Sequence, residues 1–301
     1  MPAVRPGSAR GRVGTLAPMS TVDGMTRQQL GTMIADRLQR DADQLRADFA
    51  QPGRVRSCVI DELLDPELAQ GIFDRFPSLD ECHEKKNVRE YKYIAAQMDR
   101  YHPVLEEIIF AFQEPEVMDV VTSITGVPDM HPDPNLYAGG LSMMAKDNYL
   151  TPHLDDSHDN TREMYRVLNL LYYVSPGWQL GYGGNLQLWD DGLKAEPRTI
   201  RSKFNRLALM ATNRSSFHSV SRVEHDGVRC CVSNYYFSPH PVAEDGSVLS
   251  EDYAHVTEFR GFPGDVKSDL LLRTDAAVKN VIRKVYKRPI RDNHKYIRGD
   301  E

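Results

Sequence analysis

The residues best suited to chemistry sit in one short stretch and at one distant position. The stretch is Tyr149-Leu-Thr-Pro-His153-Leu-Asp155-Asp156. On an extended strand, side chains alternate faces with period two, so His153 and Asp155 point the same way and can share one metal ion. A third ligand must come from a neighbouring strand. His218, in Ser215-Ser216-Phe217-His218-Ser219-Val220, lies 63 residues after Asp155 and is the candidate. Two imidazoles and one carboxylate on one face leave three positions open, a geometry that suits Fe(II). An HxD triplet alone is weak, because such triplets arise by chance. The distant histidine, with an arginine just beyond it, makes the pattern specific.

That arginine is Arg229. The run Val223-Glu-His-Asp-Gly-Val228 carries an Asp-Gly hairpin signal. A hairpin closing there puts Arg229, Cys231 and Ser233 on the face that holds His218. A guanidinium in that place can grip a carboxylate through two parallel hydrogen bonds. This suits a dicarboxylate whose other end chelates the metal. Arg222 shares the parity and competes for the role, and a three-residue loop would turn Arg229 outward.

Several elements must position these groups. Leu30, Met33, Ile34, Leu38, Leu45 and Phe49 recur at helical spacing over 27–49. Val55–Ile60 reads as a strand. Asp65-Pro66 opens a helix to about Phe76, with an N-cap acid followed by proline at the first helical position. Further helices are expected over 103–112 and 116–125, the second closed by Gly126. From residue 136 onward, short β-type runs dominate, at 136–145, 149–155, 166–174, 184–190, 206–212, 217–223 and 229–237. Turn signals such as Gly139-Gly140, Ser175-Pro176-Gly177 and Gly183-Gly184 separate them. So many strands in so short a span predict a sandwich or barrel.

Composition sets the outer bounds. The 301 residues are 41% hydrophobic and 27% charged, enough to build a core and too apolar for a wholly disordered chain. No run of 18 apolar residues occurs, so no transmembrane helix is expected. A net charge of −6 argues against sequence-independent nucleic-acid binding. The charge is polarised. Residues 266–299 carry ten Lys/Arg against three Asp, a net +7 that leaves −13 for the rest. Within that tail, Val278, Val281, Ile282 and Val285 predict a helix that packs its apolar face on the body and turns a basic face to solvent. Residues 1–26 are Gly-, Ala-, Pro- and Ser-rich and read as a disordered leader, with Met19 and Met25 as alternative starts. The leader lacks a secretory h-region, and Cys58, Cys82, Cys230 and Cys231 form no CxxC pair, so reduced thiols and a cytoplasmic location are expected.

Taken together, His153-x-Asp155, Leu168-Asn-Leu-Leu-Tyr-Tyr173-Val-Ser175, Gly183-Gly184-Asn-Leu186, Asn205-Arg-Leu-Ala-Leu209, His218 and Arg229 resemble the Fe(II)/2-oxoglutarate-dependent dioxygenase superfamily, in its prolyl-4-hydroxylase-like branch. Val59-Ile-Asp-Glu-Leu-Leu-Asp-Pro66-Glu-Leu68 resembles the strand-helix entry of that branch, and the likeness covers roughly 55–240. The resemblance implies a mainly β chain with flanking helices (α+β). Its core would be a double-stranded β-helix, or jelly roll, with N-terminal helical support and a C-terminal helix. The implied divisions are a leader 1–26, an N-terminal helix 27–54, a dioxygenase domain 55–245 and a basic helical extension 246–301.

The resemblance also implies the site. His153, Asp155 and His218 would hold Fe(II). 2-Oxoglutarate would chelate the iron with its 1-carboxylate and 2-oxo group, O₂ would be the second cosubstrate, and ascorbate is a compatible reductant. Arg229 would take the far carboxylate, assisted by Tyr173, Asn169, Tyr149 or Ser233. Some relatives have Arg-x-Ser, whereas here Cys231 stands two residues after Arg229 and Ser233 four. The implied reaction hydroxylates an unactivated C–H bond and releases succinate and CO₂. Related halogenases lack the carboxylate at the Asp155 position, so its presence favours hydroxylation over halogenation. The expected substrate is a small molecule, amino-acid-like or a natural-product intermediate. Alternatives are a protein residue such as proline and a non-catalytic metal-binding sensor on the same fold.

Overall fold

The computed structural model describes residues 22–137, 139–285 and 296. The chain begins with helices. Thr26 caps α1 (Arg27–Arg40) in a capping box with Gln29, and α2 (Ala42–Phe49) follows. The single helix expected over 27–49 is thus two, because Asp41 leaves helical geometry at ψ 13°. Strand β1 (Ser57–Asp61) leads to α3 (Pro66–Phe73), where the Asp65 side chain accepts from the Glu67 N–H at 2.9 Å and Pro66 opens the helix. A hairpin of β2 (His83–Lys86) and β3 (Glu90–Ala95) precedes α4 (Pro103–Ala111) and α5 (Pro115–Thr125). Gly126 closes α5 at φ +71°, as its position predicts.

The β region contains β4 (Gly140–Met144), β5 (Tyr149–Leu154), β6 (Tyr165–Tyr173), β7 (Leu186–Leu188), β8 (Arg198–Ile200), β9 (Arg206–Ala211), β10 (His218–Val220) and β11 (Arg229–Ser238). Strand β12 (Glu258–Phe259) and α6 (Val266–Val285) complete the described chain. The strands join in the order β1-β9-β6-β11-β4-β3-β5-β10-β7-β8, with every pairing antiparallel, and β12 adds to the edge of β5. The sheet curls so that β6 and β11 meet β5, β7 and β10 across one cleft. This is the jelly-roll core, with helices packed against its outside.

Period two explains both sides of the central strand. Leu168, Leu170 and Tyr172 of β6 join Leu30 and Ile34 of α1, Ile108 of α4 and Val121 of α5 in one apolar cluster. Leu171 and Tyr173, one residue out of phase, face the cleft. Two glycines are required by close approach. A Cβ on Gly140 (φ +123°) would lie 2.6 Å from the Ala95 carbonyl oxygen, and one on Gly183 (φ +73°) would lie 1.8 Å from that of Arg222. Asn205, held at φ +58°, uses Oδ1 to accept from the Leu64 N–H and the Tyr172 hydroxyl and donates from Nδ2 to the Leu64 carbonyl. It thereby fastens the exit of β1 to β6.

The ends depart from expectation. Residues 22–26, assigned to the leader by composition, are ordered. Val22 is buried against Gly71, and Asp23 pairs with Arg75. The remainder of the leader, 1–21, lies outside the described residues, as does the basic tail beyond 285 apart from Tyr296. Helix α6 packs on the body through Leu272 and Ala276. Val278 and Val281 are 53% and 63% exposed, together with Val266, Leu270 and Leu271. Val278 and Val281 of the expected stripe therefore face solvent, opposite to the predicted orientation, while Ile282 is half-buried. Among the described residues, no helix is long and apolar enough to cross a membrane.

The β2–β3 hairpin carries a buried carboxylate. Glu90 lies 3.1 Å from Lys85 Nζ and 2.9 Å from Lys92 Nζ. Burial opposes its charge, but the two ammonium groups overcome that and hold its pKa down at about 2. A folded-state pKa below the unfolded value stabilises the fold above pH ~4.5, and this stabilisation disappears as pH falls towards 2. It is on the order of 2–3 kcal/mol. Denaturant melts at pH 7 and pH 3 should show Glu90→Gln losing less stability on acidification than the wild type. Equal losses would remove Glu90 as the acid-sensitive group.

Candidate metal centre and active-site cleft

Strands β5 and β10 pair with His218 opposite His153. This brings the two rings to a centroid separation of 4.2 Å. Asp155, just past the end of β5, lies between them, with Oδ1 3.6 Å from His153 Nε2 and Oδ2 3.6 Å from His218 Nε2. Their ligand atoms all lie within 4.8 Å of one another, the one such metal-competent cluster among the described residues.

Each imidazole is oriented from behind. His153 Nδ1 is 2.9 Å from the Thr151 carbonyl oxygen, and His218 Nδ1 is 3.0 Å from that of Ser216. Carbonyl oxygens only accept, so each Nδ1 carries the proton and donates it. This leaves both Nε2 lone pairs facing the common centre. Burial, then the neighbouring His153, pushes the His218 pKa down to about 4, which favours the neutral imidazole that binds metal. Burial would raise the Asp155 pKa. Its electrostatic interactions with His218 and Arg166 and its contact with His153 instead hold it well below the usual carboxylate range.

Arg166 and Asn169 complete the surroundings of the carboxylate. Arg166 Nη1 is 3.4 Å from Asp155 Oδ1. Asn169 Nδ2 donates to Asp155 Oδ2 at 2.7 Å. Asn169 thus lies on the expected face, with Nδ2 on the metal carboxylate and a buried Oδ1 that has no hydrogen-bond partner. Arg166 was not anticipated. Its place at the start of β6 was visible, but burial beside Asp155 and below the Tyr235 ring, 4.6 Å from its centroid, needs the folded sheet.

The cleft runs from His218 past Leu171, Tyr173, Ser233 and Tyr235 to Arg229, with Leu150, Leu186, Val220 and Met144 closing the sides. Arg229 is 4% exposed and stands 5.6 Å from the Tyr173 ring centroid. Its Nε is buried with no hydrogen-bond partner. Leaving such a donor unmade is costly, which fits a site shaped for a carboxylate. Ser233 faces the cleft beside Cys231, with Oγ 3.8 Å from Sγ. Burial raises the Tyr173 pKa and keeps its phenol protonated.

Arg229 reaches this place by a route different from the expected hairpin. Strand β10 pairs with β5 and β7, whereas β11 pairs with β4 and β6. His218 and Arg229 therefore face each other across the cleft rather than sharing a two-stranded ribbon. Arg222, the rival, is 47% exposed and donates to the Asp147 carbonyl at 3.0 Å. Tyr149 is not in the cleft. Between His218↔His153 and Val220↔Leu150 the register slips, so β5 spends three residues where β10 spends two. Leu150 turns inward and Tyr149 outward, where its hydroxyl donates to the Asn87 carbonyl at 3.0 Å and its ring lies 4.8 Å from the Arg222 guanidinium carbon.

The N,N,O donor set and the buried Arg229 guanidinium, with Nε unpaired and Nη2 on the Met144 sulfur, fit a ferrous ion and a dicarboxylate. Residues 139–237 match the family model of the 2OG-Fe(II) oxygenase superfamily. Over that segment the chain is similar to the oxygenases of that superfamily. The matched segment runs from the entry of β4 into β11 and includes all three triad residues and Arg229. Over 87 residues the chain is 31% identical to the prolyl 3-hydroxylase OGFOD1 of Mus musculus, a match that takes in 27% of this chain and 16% of that protein. The match thus spans only about a sixth of the relative's length. Among solved structures, a prolyl 4-hydroxylase from Phytophthora capsici superposes with a TM-score of 0.51 at 17% identity, over 73% of this chain and 68% of that one. A Pseudomonas putida prolyl-4-hydroxylase gives a TM-score of 0.48 at 14% identity, over 65% of this chain and 98% of the other. At these identities the likeness to the Phytophthora capsici structure establishes the fold of the oxygenase domain and nothing about its substrate.

Proposed function

We propose that this chain is a 2-oxoglutarate- and Fe(II)-dependent dioxygenase that hydroxylates an unactivated C–H bond of a small molecule, amino-acid-like or a natural-product intermediate, with release of succinate and CO₂. The observation that carries the reading is the buried Arg229 guanidinium, its Nε unpaired, in the same cleft as the His153–Asp155–His218 triad. Fe(II), when bound, supplies the O₂ chemistry; the chain supplies geometry and shelter. His153, Asp155 and His218 would hold the metal through two imidazole nitrogens and one carboxylate oxygen and would leave further positions to the cosubstrates. Arg229 would hold the far carboxylate of 2-oxoglutarate, with Tyr173 and Ser233 beside it. Leu150, Leu171, Leu186 and Val220 exclude water from the keto acid. Asn169 and Arg166 fix the carboxylate of Asp155.

Arg166 also bears on the substrate. Its buried Nε has no hydrogen-bond partner, and its guanidinium lies below the Tyr235 ring. A carbonyl or carboxylate of the substrate would satisfy that donor and bring a nearby C–H towards the metal. The cleft has a void of about 80 Å³ and a mainly apolar lining, which favours a compact molecule. A second reading is hydroxylation of a protein residue such as proline. It is favoured by the local likeness to OGFOD1.

The test has two stages. Anaerobic Fe(II) plus 2-oxoglutarate should give the weak visible charge-transfer band of the chelate. Absence of the band in folded, iron-loaded protein defeats the oxygenase reading. Aerobic succinate release is then screened against amino acids and their derivatives and against proline-containing peptides. Stimulation by small molecules alone supports the first reading, and stimulation by peptides alone supports the second. A band without turnover on any candidate favours the non-catalytic sensor.

A further inference from the structure

The C-terminal segment, separated from the catalytic unit by sequence pattern, reaches the metal centre. Strand β12 lies along the edge of β5, with Phe259 opposite His153, and the Arg260 N–H donates to the Pro152 carbonyl at 2.7 Å. The Phe259 ring stacks on the His153 imidazole at a centroid distance of 5.2 Å and an interplanar angle of 20°. Behind Phe259 stands Arg89 from the foot of the β2–β3 hairpin, its guanidinium carbon 5.6 Å from the ring centroid. Arg89 is anchored at both ends. Its carbonyl accepts from the Thr151 N–H at 2.9 Å, and its side chain pairs with Asp275 of α6. Lys279 Nζ also contacts Asp275, at 2.9 Å. The strap is held to α6 by Arg260 Nε and Asp269 Oδ1 at 2.7 Å. Gly261 fits tightly there, since a Cβ on it would lie 2.7 Å from both the Asp265 carbonyl and the Asp269 nitrogen.

These contacts form one continuous path from α6 to a metal ligand. The bond from His153 Nδ1 to the Thr151 carbonyl leaves the imidazole free to tilt about that axis. A flat ring stacked on one face removes the tilt and closes that side to water. We propose that Phe259 is a positioning residue for His153, held in place by the Arg89–Asp275 ion pair, so that the C-terminal segment 258–279 is a working part of the metal site. The inference rests on the metal reading above and goes beyond it, because none of these residues would touch the metal or a cosubstrate. Groups that orient metal-binding histidines from behind typically change metal affinity by about 10–100-fold.

The experiment uses Co(II) as the probe, on the full chain, with and without 2-oxoglutarate. Phe259→Leu fills the space without stacking, and Phe259→Tyr keeps the stack. Phe259→Leu should weaken Co(II) binding by about 10-fold or more and shift its visible ligand-field bands, while Phe259→Tyr keeps the wild-type spectrum. Arg89→Ala should move the spectrum in the same direction by less. Added to Phe259→Leu it should have no further effect, because Arg89 acts through the ring. Metal-free thermal melts report folding separately. Wild-type affinity and spectrum in a folded Phe259→Leu protein overturn the proposal, and so does full additivity of the two changes. Failure of the wild type itself to bind Co(II) overturns the metal reading instead.

Discussion

Arg229→Ala raises the 2-oxoglutarate concentration that half-saturates succinate release by about 10²–10³-fold. Arg229 is buried, its Nε is unpaired, and the walls around it are apolar. A carboxylate bound there is shielded from water, so truncating its partner strands a desolvated charge. That costs roughly 2–5 kcal/mol, and each ~1.4 kcal/mol is a tenfold change. Arg229→Lys keeps the charge but loses the planar fork that a carboxylate fits, so it recovers only part of the loss. Fe(II) affinity measured without keto acid stays close to wild type, because Arg229 lies across the cleft from the triad. The kinetic and metal-binding measurements together isolate the role. Unchanged half-saturation in Arg229→Ala would remove this guanidinium from cosubstrate binding.

His218→Ala abolishes metal loading and turnover together. His218 is the one triad member outside the HxD segment, and it is held by its pairing with β5 and by the Ser216 carbonyl. Its loss leaves two ligands from a single strand end and an acid, Asp155, that no longer faces a second imidazole. Metal affinity should fall by more than about 100-fold, beyond the range of changes in groups that merely orient ligands. The anaerobic Fe(II)–2-oxoglutarate band should vanish and succinate release should drop to background. A variant that keeps both would exclude His218 from the metal site. Because His218 is buried and packed on His153, the same samples need a thermal melt to show that the jelly roll is intact.

Each part of the site was visible in the sequence to the extent that it depended on local periodicity. His153 and Asp155 are two apart on an extended segment, so their common face follows from backbone geometry. Arg229, Ser233 and Tyr235 share a face of β11 for the same reason. Tyr149 shows the limit of that rule. A bulge of one residue in β5 reverses parity, and no composition signal marks it. Arg229 was identified through a hairpin that does not exist; facing sheets produce the same juxtaposition as paired strands. The hairpin at 83–95 and the two-residue β12 lay below notice because charged, short segments carry little hydrophobic alternation. The stripe of α6 was seen, but periodicity says only that a helix has an apolar side and not which side meets the body.

By itself, the amino-acid sequence determined the strand-rich core, the residue types able to ligate a metal and the likeness to one superfamily, because all three rest on spacings of a few residues and on side-chain chemistry. Tertiary structure alone decided which cation faces the triad, that Asn169 and Arg166 serve Asp155, that Tyr149 turns outward, and that Phe259 backs His153. Those relations join residues far apart in the chain, from Arg89 to Asp275. They depend on strand order, register and burial, and no local pattern encodes these.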